Sequence, residues 1–289
     1  MLPAKSYKSL GIAIMLVGLS PITDSCSVAK HGKKQNLMPG VWQTQPVAID
    51  GDSKDWPSPY PNYDSKSLLA YATSNDRENL YITAETGDLL TQIKILSQGM
   101  VVSIDTGGGK DATFKIAYPL QNDNDPLELP RTDDGQVHMT KNFGQQLAKQ
   151  AEKANQLSLE GFTNCGGGYM VAQNNACGIK VMARIDEYKQ LVWEAKVPFK
   201  ALYNRNEVAA AGAGKPISVC FAIKGFKDPD AKNKQTSTSS MSDPMGGNQP
   251  GRNSRQQGMP TGGQNTTNNP LQHLYESTKT WKHFKIAYQ

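Results

Sequence analysis

Cysteine and histidine are both scarce, four of each in 289 residues, and neither falls into a chemical pattern. No Cys-x-x-Cys and no paired histidine spacing occurs, so a zinc site is not expected. His31, His138, His273 and His283 lie in no Ser-His-Asp or His-Glu-x-x-His context. Positioned nucleophiles, acids and metals are what an enzyme needs, and the many Asp and Glu residues cannot be sorted into glycosidase pairs by spacing alone. No enzyme is expected. A strong charge of either sign is also missing. The formal net charge is +5 and the lysines are interleaved with acids, so there is no nucleic-acid footprint. Long apolar runs are absent as well. Leu10 to Leu19 is too short for a comfortable membrane-spanning helix.

What that short run does fit is an export signal. Lys5 and Lys8 precede it, and Ser25-Cys26 follows, giving a basic region, an apolar region and a small residue at the cut. Cys26 then becomes the lipidated first residue of a bacterial lipoprotein, although Asp24 is unusual for such a site. A plain signal peptide cut nearby and an uncleaved anchor are the alternatives. Residues 1–25 are read as signal peptide and 26–45 as a polar, basic tether. Residues 46–289 are read as one domain in the bacterial cell envelope, membrane-anchored, with its face of the membrane open.

Gly 26 and Pro 17, with many amides and hydroxyls, favour strands and long loops. Strands are expected at Val47–Ile49, Leu68–Ser74, Leu80–Thr86, Gly99–Asp105, Ala112–Tyr118, Lys180–Ile185, Leu191–Val197, Ile217–Phe226 and Trp281–Tyr288. In the last strand Lys282, Phe284, Ile286 and Tyr288 are expected to face the core. Leu191, Trp193, Ala195 and Val197 share one face of their strand, with Glu194 and Lys196 on the other, which makes Trp193 a core residue. Asn142–Leu159 is the one good helix candidate, with Phe143, Leu147, Ala151, Ala154 and Leu157 near helical spacing, and Pro198-Phe199-Lys200-Ala201-Leu202 starts a short helical turn. Gly107-Gly108-Gly109 lacks the Lys-Ser/Thr ending of a phosphate loop and reads as a hairpin turn. Asn122 to Asp125 lacks the remaining calcium-loop spacing. Residues 227–269 are low-complexity, too poor in aliphatic residues to order themselves. Cys165 and Cys177 bracket a short glycine-rich loop. In an oxidising compartment a disulfide there contributes about 3 kcal/mol. Cys220 reads as a buried free thiol.

Three pieces recur in a telling order: Ile49-Asp50-Gly51 with Trp56, then Asp76 with Asn79-Leu80-Tyr81, then Trp193-Glu194 with Val197-Pro198-Phe199. Together they resemble the family 9 carbohydrate-binding modules and related DOMON-like sandwich domains, over roughly Val47 to Gln289 with two long inserts. The resemblance implies a mostly β, antiparallel β-sandwich, immunoglobulin-like or jelly-roll-like, with one short helix and long loops. It implies sugar binding and no reaction.

A polysaccharide or glycan is recognised by exposed aromatics beside amides and carboxylates. Tyr60, Tyr63 and Tyr169 lie in loops and are the ligand candidates. Trp56 joins them, or else anchors the core. The resemblance also implies a structural calcium, for which Asp50, Asp52, Asp76 and Asp105 supply oxygens; turn capping explains the same residues. The competing class is a cell-envelope protein–protein or assembly component with no sugar ligand.

Overall fold

Leu80, Ile82 and Ala84 alternate with Tyr81, Thr83 and Glu85. A strand sends successive side chains to opposite faces, so only the first set enters the main core. The same rule operates across a computed structural model that describes residues 37–120, 127, 129, 142–162, 165, 168–203, 214–228 and 271–289. Twelve strands occur among them: β1 (Leu37–Met38), β2 (Asn62–Asp64), β3 (Leu69–Asn75), β4 (Asn79–Thr86), β5 (Met100–Asp105), β6 (Phe114–Tyr118), β7 (Gln156–Glu160), β8 (Gly168–Val171), β9 (Lys180–Ile185), β10 (Leu191–Pro198), β11 (Pro216–Ile223) and β12 (Thr278–Lys285).

They form two sheets. One has seven strands in the order β1-β12-β11-β5-β6-β7-β8, the other five in the order β2-β3-β4-β10-β9. Every strand pair is antiparallel except β1 with β12. The sheets stack face to face. Tyr71 of the smaller sheet meets Phe221 of the larger, ring centroids 5.3 Å apart. The indole N–H of Trp193 donates to the Tyr118 carbonyl at 3.1 Å. The chain is thus a mostly β antiparallel sandwich, with Trp193, Val197, Val219 and Phe221 in its core.

The helices depart from expectation. Among the described residues two longer ones and two short ones are present: α1 (Leu89–Gln98), α2 (Phe143–Lys153), α3 (Phe199–Tyr203), where a short helical turn was expected, and α4 (Gln272–Tyr275). In α2, Phe143, Leu147 and Ala151 are buried as a single stripe. The helix ends at Lys153, however, and Leu157 is buried from β7 instead. No helix was expected at α1. It is capped by Asp88, whose side chain accepts from Thr91 N–H, and by Gly99 at φ 77. Thr91 to Ser97 are all buried, so the segment lacks the one-sided pattern by which a surface helix is recognised. Its Lys94 satisfies its ammonium internally, donating to the carbonyls of His273 at 2.8 Å and Glu276 at 3.2 Å. These contacts tie α1 to α4.

Both ends of the domain also differ from the reading. The tether was expected to run to residue 45, but Leu37 and Met38 pair with His283 and Phe284. Gln43 N–H donates to the Asn75 carbonyl and Asn75 N–H to that of Val41. Backbone pairing at a sheet edge needs no side-chain periodicity, so this segment carried no signal. At the other end Phe284 and Ile286 reach the core, while Tyr288 is exposed because β12 stops at Lys285. Cys165 and Cys177 form the disulfide, and Cys220 is a buried free thiol. Residues 1–36, including Cys26 and the export signal, lie outside the described residues, as does most of the low-complexity span, 229–269. No helix among the described residues is long and apolar enough to cross a membrane.

Candidate functional site

Val47 to Ile49 is not a strand. Side chains rather than a neighbouring strand hold the segment: Ala48 N–H donates to Asp55 Oδ2 at 2.9 Å, and just past Ile49 the amides of Asp50 and Gly51 donate to Glu194. Residues 47–60 therefore run as a strap over the outer face of the five-stranded sheet. Val47 and Trp56 pack on Ala72 and Tyr81 there, with Ile49 and Tyr60 beside them, as a second small core.

Glu194 fastens the strap. Its Oε2 accepts from Asp50 N–H at 3.2 Å and Gly51 N–H at 2.7 Å, and its Oε1 accepts from the Trp56 indole at 2.6 Å. The side chain is fully buried. Burial pushes its carboxyl up to about 7, while the Trp56 indole and the two amides pull it down. Gly51 is required twice over. Its φ is +77, and a Cβ there would meet that of Arg184, so any other residue is both strained and obstructed. The first and third sequence pieces, Ile49-Asp50-Gly51…Trp56 and Trp193-Glu194, are thus the two halves of one hydrogen-bonded clasp.

Beside the residues that the strap packs on, a second row of outward-facing positions crosses the sheet, with one of its inner residues, Val192, fully covered. Strand register places Tyr63, Ala70, Glu85, Val192 and Arg184 side by side across all five strands, from β2 to β9. All five belong to the face opposite the main core. Over the β2 end lies a cleft of about 370 Å³, lined by Tyr60, Asn62, Tyr63, Glu85 and the strap residues Ser53 and Pro57 to Pro59. Tyr63 is 61% exposed. Tyr60 is half-buried, its hydroxyl 3.2 Å from Thr83 Oγ1. Burial first, and then the Asp186 carboxylate, hold the Glu85 carboxyl above its usual range. A second cleft, of about 510 Å³, lies over the β9 end and shares Ser53 with the first. Lys54, Arg184, Asp186, Glu187 and Tyr188 line it.

Of the expected ligand residues, Tyr60 and Tyr63 meet in one cleft. Trp56 does not serve as a platform: it is 6% exposed and held by Glu194. Tyr169 is 81% exposed but stands on β8, the edge of the other sheet, away from the Tyr60–Tyr63 cleft. Glu85, Arg184 and Tyr188 were not singled out from the sequence. Glu85 could have been found by extending the outward alternation of β4. Tyr188 sits in a hairpin turn, and no local signal marks it.

The four aspartates proposed for calcium do not come together. Among the described residues no group of three or more His, Cys, Asp or Glu could hold a metal ion. Each aspartate instead caps its own turn. Asp50 accepts from Asp52 N–H, and Asp52 accepts from Lys54 N–H. Asp76 accepts from Glu78 N–H, Asn79 N–H and the Tyr81 hydroxyl, and Asp105 from the amides of Gly107 and Asp111. These residues do not fit a calcium site. Among the described residues one serine–histidine contact occurs, Ser218 Oγ to His283 Nδ1 at 2.6 Å, but it is buried. Ser218 is fully covered, which closes it to a substrate.

No protein-family model and no curated protein matches the chain. Among solved structures it is similar to a family 9 carbohydrate-binding module from Caldicellulosiruptor kristjanssonii in complex with glucose. The sequence identity is 9% and the TM-score 0.29, over 65% of this chain and 77% of that one. The sandwich stands on its own strand pairing, and the site on its own geometry.

Proposed function

We propose that this chain is a non-catalytic carbohydrate-binding protein whose sugar site is the cleft at Tyr60, Asn62, Tyr63 and Glu85. The observation that carries the reading is an exposed tyrosine ring set beside an amide and a carboxylate in a cleft of about 370 Å³. An aromatic face stacks on the apolar face of a pyranose, and the polar groups bond its hydroxyls. The strap gives the cleft a fixed wall, so little ordering is lost on binding. The aspartates play no metal role in this reading.

The same proposal places the protein outside the bacterial cytoplasm, held to a membrane by a lipid on Cys26. The Cys165–Cys177 disulfide fits an oxidising compartment, and the residues before Cys26 supply the export pattern. Labelled palmitate incorporated by the wild type and lost in Cys26→Ala supports the anchor; an unlabelled wild type removes it.

A glycan array followed by titration calorimetry on the purified chain tests the sugar site. Tyr63→Ala is expected to weaken binding by roughly tenfold or more with an unchanged melting temperature, because that ring is largely solvent-exposed. Failure of every glycan to bind overturns the reading. A second reading, an envelope assembly component, is favoured by Tyr169 and Val171, both exposed on the edge strand β8. A reproducible protein partner together with no glycan binding would select it.

A further inference from the structure

A separate cavity of about 400 Å³ lies between the strap and residues 38–43, the segment that leads into it. It shares Pro57 and Asn62 with the sugar cleft, but neither Tyr60 nor Tyr63 lines it. That volume is within the usual range for small-molecule sites. Its walls are fixed before any ligand arrives. On one side Gln43 N–H donates to the Asn75 carbonyl at 2.8 Å and Asn75 N–H to that of Val41 at 2.9 Å, while Met38 is paired with Phe284. On the other, Trp56 is held by Glu194. Met38, Val41, Trp56, Pro57, Pro61 and Phe284 make the lining mostly apolar. Asp55 is the one charged side chain there among the described residues, and its Oδ2 already accepts from Ala48 N–H.

Ser74 is the residue that packing does not explain. It leaves β3 on the same outward face as Ala72, and both line the cavity. Ser74 is 5% exposed, and its Oγ is buried without a hydrogen-bond partner among the described residues. A hydroxyl shut away unpaired costs stability that alanine, of nearly the same shape, would not cost. An apolar lining with one unpaired hydroxyl suits a molecule that is apolar over most of its surface and carries a hydrogen-bonding group. An anion would find no lysine, arginine or histidine among the described lining residues, and one carboxylate already in place. Burying its charge there would be costly.

We infer that this cavity is a second ligand site, for a small uncharged molecule with an apolar body and one hydrogen-bonding group that Ser74 Oγ meets. The inference goes beyond the sugar reading and does not rest on it. It stands or falls whether or not a glycan binds.

The probe is N-phenylnaphthylamine, an uncharged aromatic with a single N–H. It is set against anilinonaphthalene sulfonate, which has the same rings and a negative charge. Fluorescence titration of the full chain is expected to show saturable one-to-one binding of the uncharged probe, at least about tenfold tighter than that of the sulfonate. Ser74→Ala is expected to weaken the uncharged probe roughly three- to tenfold. The same variant should melt at or above the wild-type temperature, because an unpaired buried hydroxyl has gone. Tyr63→Ala, in the sugar cleft, is expected to leave probe binding unchanged. On the wild type, either the lack of saturable binding or a sulfonate that binds as tightly overturns the inference. So does a Ser74→Ala chain that binds the probe as the wild type does, or one that melts lower, which would show the hydroxyl to be paired within the fold. Loss of the probe in Tyr63→Ala would assign it to the sugar cleft and overturn the inference as well.

Discussion

Glu194 is a carboxylate with three N–H donors and no solvent contact. Burial disfavours its charge, and the donors favour it. Burial prevails, bringing the carboxyl to about 7 against a free value of 4.5. The folded chain therefore holds this proton more tightly than the unfolded chain does. The stability this confers is complete below about pH 4.5 and is lost as pH rises through about 7, up to about 3 kcal/mol in all. Denaturant midpoints of wild type and Glu194→Gln across that range provide the check. The wild type should lose stability with rising pH more steeply than the variant, since Gln does not titrate. Parallel curves would mean that the Glu194 carboxyl does not titrate in this window.

At the scale of elements the strap is the unusual part. Residues 47–60 contribute one 3₁₀ turn, Ser53–Asp55, and otherwise hold their place through side chains, with Trp56 as the anchor. Trp56→Ala removes both the buried ring and the donor to Glu194, at an expected cost of about 3–5 kcal/mol. Trp56→Phe keeps most of the packing and leaves one acceptor unpaired, costing roughly 1–3 kcal/mol. Thermal melts should rank the two in that order. Limited proteolysis should cut Trp56→Ala between Pro46 and Tyr60 faster than it cuts the wild type there. Equal rates of cleavage in that segment would show that the strap is held by other contacts. Sugar binding should fall in Trp56→Ala as well, because Ser53 and Pro57 to Pro59 form a wall of the first cleft.

For the whole molecule, stability comes from stacking two sheets whose strands are drawn from distant parts of the chain. The larger sheet joins residue 37 to residue 283, so its edge closes only when both ends of the domain are in place. The Cys165–Cys177 bridge, with a separation of 12 residues, pins the segment between β7 and β9 at the rim of that sheet. A loop of this length is worth about 3 kcal/mol. The double variant Cys165→Ser/Cys177→Ser should lose stability by that order in a denaturant titration, and reductant should reproduce the loss in the wild type while leaving the variant unaffected. A variant as stable as the wild type would assign the bridge no folding role.

Local pattern alone carried a good part of this architecture. Alternation identified the inward face of β10, including Trp193, because a pleated strand has a fixed period of two. The Phe143-Leu147-Ala151 stripe marked α2 because one of its faces is apolar and the others polar. The loop between Cys165 and Cys177 could be read because loop closure depends on spacing along the chain. Elements without a one-sided pattern stayed hidden: α1 is buried on nearly every side, and β1 is a two-residue strand, too short to show a period. Tertiary structure decided the rest. Glu194 and Gly51 are 143 positions apart, and nothing local to either says that one accepts from the other. Tyr63 and Arg184 share a face of the sheet only because four successive strand registers carry one row from β2 to β9. A sequence specifies which side of each strand is apolar. Which buried acceptor meets which distant donor, and which surface side chains come to stand in line, depends on how the finished sheets are ordered and stacked.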